Sequence, residues 1–170
     1  MKHTSVETRI VPATKNDIPL IRDFILELAK YERALPGEAT VTEQDLAETL
    51  FGARPAAEVL IAYLDDKPAG FALFFHNYST WLGKRGIYLE DLFVRPAARK
   101  HGVGFALLRA LARIALDRDC GRLDWSVLNW NELAINFYEQ IGAKPMDDWT
   151  SFRLTGEALS QIAGRNSEPE

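Results

Sequence analysis

The feature that most constrains this chain is a predicted strand that leads, through a basic loop, into an amphipathic helix. The strand covers Ile87 to Val94, the loop contains the run RKHGVG at Arg99 to Gly104, and the helix extends to about Arg118. The first N–H groups of a helix have no intrahelical partner, and glycines there let an anion approach them. Arg95 and the basic residues of the run suit a pyrophosphate. A phosphate loop and a solvated basic loop fit these residues equally well.

A dinucleotide-binding fingerprint is a rival interpretation of the same glycines. Gly102 and Gly104 give its first two glycines, and Asp124 lies about 20 residues further on, where a ribose-binding acid is expected. Leu107, however, occupies the position of the third glycine, where a side chain would hold the helix away from the strand. Seven residues also separate Val94 from Gly102, where that fold has a tight turn. The sequence contains no Walker P-loop motif either, so neither nucleotide fold is favoured.

The remaining patterns predict one domain over residues 1–170, ordered from about residue 7 to residue 163. The other predicted strands are Thr8 to Ala13, Glu58 to Leu64, Ala69 to Tyr78, Arg122 to Leu128 and Trp149 to Leu154. The other predicted helices start near Asp17, Thr42 and Asn131. Residues 77–86 are predicted to be a long connection, and the polar tail after Ala163 to be frayed. The pattern is α+β with a mixed sheet.

The composition excludes several classes of function. With a formal net charge of -4 and interleaved charges, the chain has no basic stripe for nucleic acid. The N-terminus has no apolar signal segment, and the longest apolar run, Ala69 to Phe75, is too short for a membrane span, so we expect a cytoplasmic protein. The scattered histidines match no metal-site spacing, so we predict no metal. The single cysteine, Cys120, is expected to be a buried apolar side chain without a histidine partner.

Three titratable side chains are candidates for binding or proton transfer. Glu90 and Asp91 are carboxylates in an otherwise apolar strand, a costly placement unless they are paired or bind a cation. Only one of them should face a cleft unless a bulge redirects the other. Tyr138, in the helix that starts near Asn131, has a hydroxyl that can donate a proton. Ion pairs for the carboxylates and an interior position for the tyrosine are the alternatives.

Taken together, these motifs resemble those of the GNAT family of N-acetyltransferases. The resemblance lies in the RxxGxG loop after a strand ending in Phe93-Val94 and in the NxxAxxFY segment at residues 131–138, and it covers nearly the whole chain. Within the family, AKYE at residues 29–32, YLEDLFV at 88–94 and WNELAINFYEQIGA at 130–143 are similar to the spermidine/spermine and thialysine acetyltransferase branch. The resemblance implies a mostly antiparallel mixed sheet, flanked by helices and splayed between the strands Tyr88 to Val94 and Arg122 to Leu128.

The resemblance also implies a reaction and its residues. The enzyme would transfer an acetyl group from acetyl-CoA to a primary amine of a small molecule, such as a polyamine, a diamine or thialysine, by direct attack. Tyr138 would be the general acid, and Glu90, with Asp91 as second choice, the route for proton removal. Tyr31, Glu32, Glu90 and Asp91 would bind the amine. The residues implied to bind the cofactor are Leu92, Phe93, Val94, Arg99, Lys100, His101, Gly102, Val103, Gly104, Phe105, Asn131 and Ala134.

The chain departs from the branch at a few positions. Leu133 stands where proline is common, Phe105 stands where a small polar residue is usual, and the connection from Trp81 to Glu90 is longer. Two other functions stay open: a non-catalytic acyl-CoA-binding module, and acetylation of a protein amine. The branch further implies a homodimer.

Overall fold

The computed structural model of the protein describes residues 7–164, which divide between Leu128 and Asn129 into two compact units. The described part of the first unit contains five strands and three α-helices, in chain order β1 (Thr8–Pro12), α1 (Ile18–Tyr31), α2 (Glu43–Phe51), β2 (Glu58–Leu64), β3 (Lys67–Ser79), β4 (Lys84–Val94), α3 (Val103–Asp117) and β5 (Leu123–Trp125). The second unit contains α4 (Glu132–Gln140) and α5 (Gly156–Ile162). That both units belong to one domain remains a prediction.

The five strands form one mixed sheet in the order β1-β2-β3-β4-β5. Each of the first four strands pairs antiparallel with its neighbour along the chain, whereas β5 runs parallel to β4. The crossover between β4 and β5 contains the glycine loop and α3, which is the kind of connection that parallel neighbours require. The predicted α+β class with a mostly antiparallel mixed sheet is therefore confirmed.

Helices cover both faces of this sheet. On one face, Phe24 of α1 is fully buried and stacks on Phe71 of β3, with ring centroids 5.3 Å apart. The other face packs against α3, whose buried stripe includes Leu107 and Leu111. Burial of apolar surface stabilises a fold by about 25 cal/mol per Å², so these two layers fix α1 and α3 against the sheet. The C-terminal end of α1 and the N-terminal end of α3 thereby receive defined positions relative to β4.

The predicted start of α2 is confirmed. The hydroxyl of Thr42 accepts a hydrogen bond from the Asp45 N–H at 3.1 Å, and the Asp45 carboxylate accepts one from the Thr42 N–H at 2.8 Å. This is the reciprocal capping box that the spacing of the two residues indicated. These hydrogen bonds hold the Asp45 carboxylate in its charged form and lower its pKa.

The pairing between β4 and β5 is short. Three residue pairs, from Ile87–Leu123 to Leu89–Trp125, join the two strands. Strand β4 then continues for five residues, to Val94, without a described strand partner on that edge. The sheet is therefore open beside the second half of β4, in agreement with the splay that the resemblance implied.

The predicted long connection over residues 77–86 is wrong, because these residues form the ends of a hairpin. Strand β3 extends to Ser79, β4 begins at Lys84, and the two remain paired as far as these residues. The run is polar, but backbone pairing does not require apolar side chains, and the alternation persists in the burial of Ser79 beside the exposed Tyr78. The intervening turn includes Gly83 at φ 64°, a left-handed conformation that suits glycine.

Two predictions near the C-terminus also need correction. Strand β5 covers three residues instead of Arg122 to Leu128, because it ends where its pairing with β4 ends. Residues 149–154, predicted as a strand, are irregular, and they pair with no strand within residues 7–164. Helix α5 follows them and was not predicted. The predicted frayed tail lies outside the described residues except for Gly164.

Candidate functional site

The predicted phosphate loop is an irregular turn between β4 and α3. After a short 3-10 helix at Pro96–Ala98, the backbone is left-handed at Lys100 and Gly102, with φ of 65° and 76°. A Cβ added at Gly102 would meet no atom within 4 Å, so this part of the loop has open space. The first hydrogen bond of α3 runs from the Ala106 N–H to the Gly102 carbonyl at 2.9 Å. The N–H groups of residues 103–105 thus precede the helical bonding and suit an anion.

The side chain of Arg95 is not directed to this loop. It donates hydrogen bonds from Nε and Nη2 to the Glu27 carboxylate, at 2.7–3.2 Å, and from Nη1 to the Pro68 carbonyl at 3.2 Å. Its guanidinium also lies 4.6 Å from the centroid of the Phe24 ring. These contacts fasten the end of β4 to α1 and to the start of β3. The sequence-based placement of Arg95 beside the phosphate loop is therefore wrong.

Arg99 borders the loop and contacts α1. Its Nε donates to the Val94 carbonyl at 3.0 Å, and its guanidinium lies 4.7 Å from the centroid of the Tyr31 ring. The side chains of Lys100 and His101 are exposed. Arg99, a predicted cofactor residue, is thus in contact both with Val94, another predicted cofactor residue, and with Tyr31, which we predicted on the amine side.

The end of β4 offers backbone groups along the open edge of the sheet. Phe93 is buried in the core beneath α1, whereas Leu92 and Val94 are half-buried. Phe93 pairs with Phe71 of β3 on one edge, and the other edge lies beyond the last pair with β5. Backbone N–H and C=O groups on that edge can pair with an extended ligand in the way a strand would.

A β-bulge brings two carboxylates together in β4. Leu73 of β3 pairs with Asp91 and Phe74 pairs with Leu89, so Glu90 is an extra residue without an opposite partner. Glu90 is exposed, while Asp91 is half-buried. The bulge that would redirect one of the two side chains is therefore present.

Among the acids of this region, Asp91 has the pKa that is raised most clearly. Burial, and then the negative charges of Glu90 and Glu32, raise the pKa of Asp91 from 3.8 to about 6. Partial burial also raises the pKa of Glu32, the residue that caps the C-terminus of α1. We refer to Glu32, Glu90 and Asp91 as the acidic cluster. A cation bound there would relieve their mutual repulsion, because an opposite charge favours the ionised form of a carboxyl group.

The second unit contains the other predicted site residues, all in or beside α4. The Asn131 side chain caps this helix by accepting a hydrogen bond from the Ala134 N–H at 3.3 Å. Ala134 and Tyr138 are half-buried and lie four residues apart, on one face of the helix. The rings of Phe137 and Tyr138 are 5.5 Å apart between centroids. Within this unit, the residues implied to contact cofactor and to act as acid therefore share a helix and a face.

One polar network was missed in the sequence. His76 Nδ1 donates to the Gly86 carbonyl at 2.9 Å, and His76 Nε2 accepts from Arg118, which also forms a bidentate ion pair with Glu58. The thiol of Cys120 lies 3.8 Å from His76 Nδ1. The expectation that cysteine has no histidine partner is therefore wrong, and Cys120 is half-buried. No spacing rule predicts this network, because its residues come from three strands and from the segment that follows α3.

The rival dinucleotide site is not supported. Asp124, the candidate ribose ligand, lies in β5 and forms an ion pair with Arg122 at 2.8 Å. The Asn77 amide also donates to the Asp124 carboxylate at 3.1 Å. The sheet is mostly antiparallel, whereas that site requires a parallel, doubly wound sheet.

Residues 7–164 contain neither a cluster of potential metal ligands nor a helix that could span a membrane. In that range, no three histidine, cysteine or acidic side chains are grouped so that they could hold a metal ion. No helix in the same range is long and apolar enough to cross a membrane.

Comparisons with known proteins agree with the geometry. The sequence profile of the Acetyltransferase (GNAT) family matches residues 26–143. An L-ornithine N5-acetyltransferase of Arabidopsis thaliana is 36% identical, over 91% of this chain and 87% of its own. A thialysine N-epsilon-acetyltransferase of Mus musculus is 36% identical, over 93% and 98%. The solved structure of an integron cassette protein from V. cholerae superposes with a TM-score of 0.76 at 32% identity, over 92% of this chain and 97% of that one.

Proposed function

The chain belongs to the Acetyltransferase (GNAT) family and is an N-acetyltransferase, and from this we propose that it transfers the acetyl group of acetyl-CoA to a primary amine of a small cationic molecule. The observation that carries the choice of acceptor is the acidic cluster at the open edge of β4. The relatives named for ornithine and thialysine support an acceptor of that kind, a short chain with a terminal amine.

Acetyl-CoA fits the residues at the donor side. The N–H groups at the start of α3, with Arg99, Lys100 and His101 beside them, suit its pyrophosphate. The loop has open space at Gly102, so that a phosphate can approach the backbone. The free edge of β4 from Leu92 to Val94 suits the amide groups of its pantetheine arm. Further proposed contacts come from the other predicted cofactor residues, Val103, Gly104, Phe105, Asn131 and Ala134. When bound, acetyl-CoA supplies an activated thioester carbonyl.

The acidic cluster has two tasks in this proposal. An aliphatic amine has a pKa near 10 and arrives protonated, so that Glu32 and Asp91 can hold it as an ammonium ion before Glu90 or Asp91 removes a proton. Glu90 is our first choice for that step, directly or through water. The raised pKa of Asp91 supports Asp91 as the second candidate, because a base works best with a pKa close to the working pH.

Tyr138 is the proposed acid that returns a proton to the leaving thiolate. The amine would attack directly, without an acetyl-enzyme. We further propose that the protein is cytoplasmic and forms a homodimer. Light scattering can test the oligomeric state, because it measures the molar mass in solution. A non-catalytic acyl-CoA-binding module and an acetyltransferase for protein amines remain the alternatives.

The deciding experiment measures thiol release from acetyl-CoA with ornithine, thialysine, lysine, spermidine and a lysine peptide as acceptors. We expect turnover with one or more of the small amines. The Tyr138→Phe variant should lose about 100-fold or more in kcat with nearly unchanged affinity for CoA, since a general acid acts in the transition state. Tyr63→Phe is the matched control, because Tyr63 lies in β2 beside Arg9 and has no proposed role.

The outcomes separate the candidate functions. Unchanged kcat in Tyr138→Phe would remove the acid assignment. Binding of CoA without turnover on any acceptor would favour the non-catalytic module. Turnover on the lysine peptide alone would favour a protein substrate.

A further inference from the structure

The contact between Arg99 and Tyr31 joins the two sides of the proposed site. Tyr31 is the last residue of α1 and immediately precedes Glu32 of the acidic cluster. Arg99 belongs to the loop that leads into α3. The guanidinium lies 4.7 Å from the centroid of the Tyr31 ring, well within the range of a cation–π contact.

The geometry leaves Arg99 able to bind a phosphate. A guanidinium that lies over an aromatic ring has five N–H donors, and its contact with the ring face does not use them as hydrogen bonds do. One of these donors, Nε, is fixed by the Val94 carbonyl at 3.0 Å. The ring and the carbonyl together restrict a side chain that is otherwise long and flexible, so that less conformational entropy is lost when its Nη groups bind an anion.

Packing supports Tyr31 as the fixed partner. Tyr31 is half-buried and packs against the core formed by α1, α2 and the sheet. One turn earlier on α1, Glu27 is held by Arg95, which also comes from the end of β4. The ring that Arg99 contacts is therefore part of the rigid framework.

We propose that Tyr31 is a positioning residue for acetyl-CoA: its ring holds the Arg99 guanidinium in place for the cofactor's pyrophosphate. This inference rests on the proposed function, and it adds a donor-side role to a residue expected only on the amine side. The affinity for CoA then depends on a side chain of α1, the helix that precedes Glu32 of the acidic cluster. By linkage, cofactor binding also restrains the end of α1 that carries Glu32.

The test is calorimetric titration of CoA into the full chain without amine, so that any acceptor-side role of Tyr31 does not contribute. Tyr31→Leu should weaken CoA binding about fivefold, as expected from the loss of a cation–π contact. Tyr31→Phe, which keeps the ring face, should stay within about twofold of the wild type. In the Arg99→Ala background, Tyr31→Leu should cause no further loss, because the effect passes through Arg99.

The control is the similar pair of Arg9 and Tyr63, whose guanidinium-to-centroid distance is 4.5 Å. Tyr63→Leu removes that stacked ring from another part of the sheet and should leave CoA affinity unchanged. Wild-type affinity in Tyr31→Leu, or the same loss with and without Arg99, would overturn the positioning role. Failure of the wild-type protein to bind CoA would instead overturn the proposed function itself.

Discussion

Asp91 illustrates how the demands of the site and of the fold oppose each other at a single residue. Its pKa is raised to about 6 because it is buried next to two other carboxylates. A carboxyl group with a raised folded-state pKa binds protons more readily in the folded protein than in the unfolded chain. Stability therefore falls as the pH rises from about 4 to about 6, and the loss persists at higher pH. The charge that would attract an amine destabilises the free enzyme.

The corresponding prediction concerns Asp91→Asn. At pH 8 the variant should be more stable than the wild type by roughly 3 kcal/mol, since the pKa of Asp91 is raised from 3.8 to about 6 and each unit of pKa shift is worth about 1.4 kcal/mol. At pH 5 the gain should be about half as large. Urea unfolding at both pH values measures these differences, and acceptor kinetics should show a higher KM for the amine.

Glu90→Gln is the matched variant for that experiment. Glu90 is exposed in the same bulge, so its neutralisation should change stability by no more than about 0.5 kcal/mol. An equal gain for Asp91→Asn at pH 5 and pH 8 would contradict the linkage argument, because an effect of packing alone does not follow the titration.

The loop residues show what a sequence pattern cannot supply. The RxxGxG spacing predicted a helix start with exposed N–H groups, and α3 begins at Val103 as expected. The pattern did not separate the two arginines beside it, although Arg95 is held by Glu27 and Arg99 contacts Tyr31. Each of these partners lies on α1, 68 residues earlier in the chain, and only the fold brings them together.

At the scale of elements, boundaries were predictable where a local signal exists. The Thr42–Asp45 capping box fixed the start of α2, and a polar turn fixed the β2–β3 hairpin. The end of β5 depends on where β4 bulges, which no residue of β5 encodes. Residues 149–154 likewise depend on a pairing partner that their own sequence does not encode. Their aromatic composition favours a strand, but no described strand pairs with them.

The fastening of α1 to β4 gives an element-scale prediction. Arg95→Met would remove the bidentate ion pair with Glu27, a half-buried contact, and should lower the free energy of unfolding by about 1–2 kcal/mol. The affinity of the Arg95→Met variant for CoA should be nearly unchanged, because the Arg95 side chain is bonded to Glu27 of α1 and not directed to the phosphate loop. Arg99→Met should show the reverse, with weaker CoA binding and little change in stability.

Chemical denaturation of the two variants measures the free energy of unfolding, and calorimetric titration measures their affinity for CoA. Equal losses of CoA affinity in both variants would mean that Arg95 also serves the phosphate loop, as the sequence had indicated.

At the scale of the whole molecule, the two units differ in how much surface they bury. The helices of the first unit contribute side chains that are fully buried, such as Phe24 and Leu107. Neither α4 nor α5 buries a side chain. In residues 129–164, Trp149 is 68% exposed and Phe152 is 94% exposed. Segments with few buried apolar contacts open at low free energy, so the second unit should be the less stable part of the ligand-free chain.

Amide hydrogen exchange tests this expectation. Amides of α4 and α5 should exchange at least about 100-fold faster than those of β3 and α3 in the absence of ligand, because their local opening needs less free energy. The measurement should be made at low and high protein concentration, since a homodimer that covers the apolar side chains of this unit would slow exchange only at the higher one. Concentration-independent fast exchange would indicate that association leaves α4 and α5 uncovered. Protection equal to that of β3 at every concentration would contradict the expected difference in stability between the two units.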